Sequence, residues 1–285
     1  MKPSPFRYIA PLDLDEALSA LAASPDTKVL AGGQSLVPAM NLRLTAPGAI
    51  IDINGIPGYD RVTVAGGTAT IGMLVRHMDL ARPGFDDPLA GALAEISQHV
   101  GHLPIRTRGT FVGSLVHADP AAEWCALALA TEATVVARSA GGTREIPAAG
   151  FFLGPFTTAL REDEIVTEVR IPLLGSGTFG FAEIARTAGD FATVAALALV
   201  RLDGDAFGEV RIGLAGAEST PSRPSAAETS LAGQRVTTEA IAEAATIAAD
   251  SLQPIEDAQC SSGYRRHLAK VLVMRALQQA VGRAA

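Results

Sequence analysis

Two glycine loops set the terms for any fold of this chain. The first, Ala31-Gly32-Gly33-Gln34-Ser35-Leu36-Val37-Pro38, follows an apolar run, Lys28 to Ala31, that reads as a buried strand. Adjacent glycines permit positive φ and leave no side chain in the way, so consecutive N–H groups can converge on an anion. Gln34 and Ser35 add side-chain donors. An ordinary strand-to-helix turn is the competing reading. The second loop runs from Gly109 to Ser114. Gly109 and Gly113 allow close approach to a ligand, Thr110 and Ser114 bring hydroxyls, and Val112 lies between them. No Gly-Lys-Ser/Thr follows either loop and Gly-x-Gly-x-x-Gly is absent, so neither is a P-loop or a Rossmann turn.

The second loop leads into His117-Ala118-Asp119-Pro120-Ala121-Ala122-Glu123-Trp124. Asp119 is the expected N-cap of a helix over Ala121–Thr131, with Pro120 at its first position. Glu123 in the first turn suits ribose hydroxyls or, equally, the helix dipole. His117 is either a proton donor beside a cofactor or a hydrogen-bonding scaffold, and His99 and His102 read the same way. Arg106 and Arg108 are placed to help with phosphate charge or simply to face solvent. There is no nucleophile elbow, no His-Glu-x-x-His and no signature pair of carboxylates. The expected catalytic and metal-ligand sets are therefore empty, as in a cofactor holder whose chemistry is the cofactor's own.

The rest of the chain reads as alternating short elements. Leu14–Ala23 is an expected helix capped by Asp13, and a short helical or irregular piece follows Pro38 over Ala39–Leu44. Ala49–Ile53 is a strand. Arg61–Val64 and Thr68–Ile71 form a hairpin around Ala65-Gly66-Gly67, and Ala133–Ala137 with Thr143–Ile146 form another around Gly141-Gly142. Leu89–Val100 is a helix, Gly109–Leu115 a loop, and Ile165–Ile171 an alternating strand ended by Pro172. Composition breaks at Leu174-Gly175-Ser176-Gly177, which places a domain boundary there. Strands over Gly180–Arg186, Val194–Leu202 and Val210–Ala215 follow, then helices over Thr238–Ser251 and Tyr264–Val281. The tail is thus α+β, an antiparallel sheet plus helices.

The net charge of −7 argues against nucleic acid, which needs a basic surface. Cys125 and Cys260 are too few for a four-cysteine iron–sulfur or zinc site and fit a reducing cytoplasm. The most apolar stretch, Phe191–Val200, is too short for a transmembrane segment.

Together, Ala31-Gly32-Gly33-Gln34-Ser35-Leu36, Gly109-Thr110-x-x-Gly113-Ser114 and His117-Ala118-Asp119-Pro120-Ala121 resemble the FAD-binding medium subunit of molybdenum hydroxylases, the xanthine dehydrogenase and aerobic carbon monoxide dehydrogenase family. Arg186-x-x-Gly189-Asp190-Phe191-Ala192 and Tyr264-Arg265-Arg266-His267-Leu268 extend the resemblance over nearly the whole chain. It implies an α+β architecture: the two-lobed FAD-binding fold of the vanillyl-alcohol oxidase type over 1–175, with lobes of about 1–55 and 56–175, then a smaller α+β domain over 178–285.

By the same resemblance, FAD contacts fall on Ala31, Gly32, Gly33, Gln34, Ser35 and Leu36, and on Gly109, Thr110, Val112, Gly113, Ser114, His117, Asp119 and Glu123. The implied partners are a large molybdenum-cofactor subunit and a small subunit with 2Fe–2S clusters, in a dimer of heterotrimers. The implied role is to pass electrons from those clusters through FAD to an external acceptor. Two departures stand out. Val112 takes a place where the family has glycine, and no lysine stands near Ala182-Glu183, where the family often has one. Two alternatives follow: a scaffold of the same fold with weakened or lost FAD binding, or a stand-alone flavin oxidase with His117 as its base.

Overall fold

A computed structural model describes residues 1–284. The chain opens with β1 (Arg7–Ile9), α1 (Leu14–Ala22), β2 (Thr27–Leu30), α2 (Leu36–Asn41) and β3 (Ala49–Asp52). Asp13 accepts the Glu16 N–H and caps α1, whose Leu14, Ala17, Leu18 and Leu21 share one buried face. β1 and β2 both run parallel to the central β3. α2 starts earlier than expected and includes Pro38. A proline in the first turn removes only an N–H that has no helical partner there.

Next come β4 (Val62–Ala65), β5 (Thr68–Gly72), α3 (Pro88–His99), α4 (Leu103–Arg106), α5 (Phe111–His117) and α6 (Glu123–Ala130). They are followed by β6 (Thr134–Ser139), β7 (Gly142–Pro147), β8 (Phe152–Gly154), β9 (Thr157–Thr158) and β10 (Ile165–Pro172). Five of these strands make one antiparallel sheet in the order β4-β5-β10-β6-β7. β10 lies at its centre, which is why Ile165, Val166, Thr167, Val169 and Ile171 are buried on both faces.

The chain ends with β11 (Thr178–Ala185), β12 (Ala192–Asp203), β13 (Ala206–Ala215), α7 (Ser225–Leu231), α8 (Thr238–Ser251) and α9 (Ser262–Ala284). The antiparallel sheet β11-β12-β13 is central to the whole molecule. Side chains alternate along β12, so Ala195, Leu197 and Leu199 enter the core of the first two sheets. Val194, Ala196, Ala198 and Val200 enter a second core shared with α7, α8 and α9. Two glycines make this sandwich close. A Cβ on Gly180 would collide with the Ala276 carbonyl of α9, and one on Gly213 with the Ala126 carbonyl of α6.

Some expected elements differ. Gly109–Leu115 is not a loop: α5 occupies most of it, because the Thr110 hydroxyl accepts the Gly113 N–H at 3.1 Å and caps the turn. The helix expected over Ala121–Thr131 begins at Glu123, and Ala122 rather than Asp119 is its N-cap. Asp119 instead folds back on the Ala121 N–H at 2.9 Å, closing a turn ahead of the helix. α7 and the short strands β1, β8 and β9 had no periodic signal in the sequence. No helix among the described residues is long and apolar enough to cross a membrane.

Candidate functional site

A cavity of about 630 Å³ opens where α2, α5, α6 and the loop before β12 converge. That volume is typical of small-molecule and cofactor sites. Its wall contains Ala31 to Leu36, Gly109, Thr110, Val112, Gly113, Ser114, His117, Asp119 and Glu123. Every residue singled out from the two loops and their flank therefore faces one space. Gly189, Asp190 and Phe191 close it from the second half of the chain.

The loops meet backbone to backbone. A Cβ on Gly32 would lie 2.5 Å from both the Arg108 carbonyl oxygen and the Gly109 Cα, so only glycine fits. In the first loop Gly33 adopts φ +72°. Val37 donates back to the Gly33 carbonyl at 3.0 Å, which turns the chain into α2. Among the described residues, the N–H groups of Gly33, Gln34, Ser35 and Leu36 find no protein acceptor. Successive donors of this kind form an anion cradle. Ser35 precedes α2 without making a side-chain cap bond, so its hydroxyl is also uncommitted.

The second loop commits most of its donors to protein acceptors, leaving only the Thr110 and Val112 N–H groups free among the described residues. Phe111 N–H binds the Val75 carbonyl at 3.0 Å, Gly113 N–H the Thr110 hydroxyl, and Ser114 N–H the Thr110 carbonyl at 3.1 Å. A Cβ on Gly113 would come within 2.6 Å of the Thr110 Oγ, so this glycine protects the cap. Val112 is the second residue of α5, where a helical backbone accepts any L-residue. The residue is 3% exposed and belongs to the main core while bordering the cavity.

A polar relay that the sequence did not signal ties the loops together. Asn54 donates to the Ala31 carbonyl at 2.8 Å, and its own side-chain oxygen accepts from Arg76 at 2.6 Å. Arg76 also donates to the Arg108 carbonyl at 2.6 Å. Asp52 accepts from both Asn54 and Tyr8. Asn54-Gly55 had marked only the end of a strand, and no local motif points to Arg76.

The electrostatics are uneven around the cavity. Glu123 is buried, and desolvation, followed by the nearby Glu183 carboxylate, pushes its pKa up to about 8. His117 sits against Phe156 with ring centroids 5.0 Å apart, and burial lowers its pKa. Arg106 is not in the wall: its guanidinium holds the Gly101 carbonyl at 2.6 Å beyond the end of α3. Arg108 is outside the wall as well. Ala182 enters the second core, while Glu183 turns to α3, where its carboxylate lies 3.6 Å from His99 Nδ1. That contact raises the His99 pKa. His102 precedes α4, with its ring packed against Gly189. No cluster of three or more metal-ligating side chains occurs among the described residues.

Known proteins match this arrangement end to end. The family model for the FAD binding domain in molybdopterin dehydrogenase matches residues 4–174, and that for the CO dehydrogenase flavoprotein C-terminal domain matches residues 179–280. The nicotine 6-hydroxylase medium subunit of Paenarthrobacter nicotinovorans is 34% identical over 99% of this chain and 100% of its own length. Among solved structures, a chain of the carbon monoxide dehydrogenase from Hydrogenophaga pseudoflava superposes with a TM-score of 0.95 at 36% identity, with both chains fully covered. A chain of quinoline 2-oxidoreductase from Pseudomonas putida 86 gives 0.93 at 32% identity, covering 100% of this chain and 99% of that one.

Proposed function

The chain belongs to the family of FAD-binding medium subunits of molybdopterin dehydrogenases, and from that premise we propose that it is the FAD-carrying electron-transfer subunit of a molybdenum-dependent hydroxylase or dehydrogenase. The observation that carries this reading is the contact of Gly32 on Gly109, with unpaired main-chain donors beside it. A bare, donor-rich cradle of this kind fits a pyrophosphate without needing a cationic side chain. The chemistry FAD supplies when bound is electron transfer between a partner's iron–sulfur clusters and an external acceptor.

The residues of this chain bind and orient. Gly32 to Leu36 present N–H groups to the dinucleotide, and Gly109 to Ser114 supply the opposing wall. Glu123 accepts from ribose hydroxyls, while His117 and Asp119 flank it. The relay of Asn54 and Arg76 holds the loops at a fixed separation. In this reading an FAD-binding domain spans 1–175, with lobes of about 1–55 and 56–175, and a C-terminal domain spans 178–285. A large molybdenum-cofactor subunit and a small 2Fe–2S subunit complete a dimer of heterotrimers in the cytoplasm. The two cysteines support such partners, since this chain cannot hold the clusters itself.

Titration with FAD tests the proposal. Quenching of flavin fluorescence and a yellow reconstituted protein are expected. A colourless protein that leaves FAD fluorescence unchanged overturns it and favours a scaffold of the same fold, the reading that Val112 raises.

A further inference from the structure

His77 follows β5 and forms part of the cavity wall next to Gly109. Its main-chain N–H donates to the Gly109 carbonyl at 3.0 Å, which pins the residue to the second loop. Its ring is buried, with 5% of the residue exposed. The Trp124 indole Nε1–H donates to His77 Nδ1 at 3.0 Å, with the two ring planes only 18° apart. An indole nitrogen can only donate, so Nδ1 is the unprotonated nitrogen. In a neutral ring the proton then sits on Nε2.

The ring stays neutral at physiological pH. Burial pushes its pKa down to about 4, helped by the positive charges of Arg106 and Arg76. Nε2 makes no hydrogen bond among the described residues. The ring edge that carries it lies against the open side of Gly109, where a Cβ would come within 2.7 Å of both Nε2 and Cδ2. Nε2 is not among the fully buried atoms that lack a partner, so this free donor opens onto the cavity, where a ligand can supply its acceptor.

We propose that His77 is a further FAD-binding residue, a neutral donor of fixed tautomer whose Nε2–H hydrogen-bonds a lone-pair atom of the dinucleotide beside Gly109. Trp124 acts through it as a positioning residue, because its indole selects the tautomer. This rests on the cavity being the FAD site. A neutral donor matches the main-chain N–H groups of the first loop: it satisfies an acceptor without placing a third positive charge next to Arg76 and Arg106.

Long-range proton–nitrogen correlation spectra of histidine-labelled protein, with and without FAD, test the tautomer directly. The expected result is an Nε2–H signal for His77 that is constant from about pH 5.5 to 8 and moves downfield when FAD is added, while Nδ1 stays in place. Fluorescence titration of variants tests the contact. His77→Phe is expected to weaken FAD binding about 10-fold, and His77→Gln, which keeps an N–H near the Nε2 position, to restore most of that affinity. The melting temperature of each FAD-free variant separates binding from folding. A merely structural role would lower affinity only in step with melting temperature, with no advantage for glutamine.

An Nδ1–H tautomer overturns the inference. So does His77→Phe binding FAD as tightly as the unsubstituted chain, which would leave the FAD site itself intact. An unsubstituted chain that fails to quench FAD would instead overturn the site reading and this contact with it.

Discussion

The two glycine loops look alike in sequence and are built differently. The first leaves four successive N–H groups and the Ser35 hydroxyl uncommitted, so it is stable only because other parts of the protein hold it. Asn54 grips its Ala31 carbonyl from outside. The second loop commits most of its donors: the Thr110 hydroxyl and carbonyl take up Gly113 and Ser114, the Val75 carbonyl takes up Phe111, and only the Thr110 and Val112 N–H groups stay free among the described residues. One loop is a set of free donors on a borrowed support. The other is a capped helix start that serves as that support. Function and stability are thus divided between two segments that a motif search would treat as equivalent.

The sharpest way to break this division is at the contact between them. Gly32→Val places side-chain carbons where the Arg108 carbonyl and the Gly109 Cα already lie, and both are main-chain atoms that cannot rotate away. The loops must separate, and the free donors lose their common focus. FAD affinity should fall by about 100-fold or more, measured by flavin fluorescence, while the helical signal of the protein changes little. Retained affinity would mean that the loops do not act as one cradle.

A second test uses charge. Glu123 follows the second loop and is buried, and its carboxyl is held protonated up to about pH 8. Its folded pKa lies above its unfolded value, so between pH 4.5 and 8 the folded state holds the extra proton. Stability from this group therefore falls as pH rises across that window. Glu123→Gln mimics the neutral acid and removes the dependence. Denaturant unfolding without FAD should show little difference from the unsubstituted protein at about pH 4.5 and a more stable variant, by about 2–4 kcal/mol, at about pH 8. A variant destabilised at pH 8 would show that the carboxylate has a stabilising partner. The first loop's stretch of wall from Ala31 to Leu36 has no titratable group and should add nothing to this profile.

These contrasts explain what was legible in the sequence. Glycine pairs, the Asp13 cap, the alternation of β10 and the apolar run of β12 are local signals, and they produced the elements expected of them. The family motifs marked residues that line one cavity. What sequence could not reveal depends on distant neighbours. Gly32 is irreplaceable because Gly109 lies on it. Val112 read as a bulky residue in a loop where the family has glycine, but Thr110 starts a helix there and the core receives the side chain. Asp119 had every local mark of an N-cap, yet the Pro120 carbonyl accepts from Gly216 in the C-terminal half, and α6 begins later. Asn54, Arg76 and His77 are ordinary residues until the fold brings them to the loops.

The smallest expected effect tests the division most cleanly, because it asks two hydroxyls at matching helix starts to behave differently. Thr110 caps α5 through a 3.1 Å bond from Gly113, whereas Ser35 before α2 makes no such bond. Thr110→Ala should therefore cost about 1 kcal/mol of stability, the usual value of an N-cap side chain. Ser35→Ala should leave unfolding within about 0.5 kcal/mol of the unsubstituted protein and show its effect only in FAD affinity. Urea unfolding without FAD and fluorescence titration with it separate the two quantities. Equal stability losses would mean that the Ser35 hydroxyl has an internal partner after all, and that the first loop is capped as the second is.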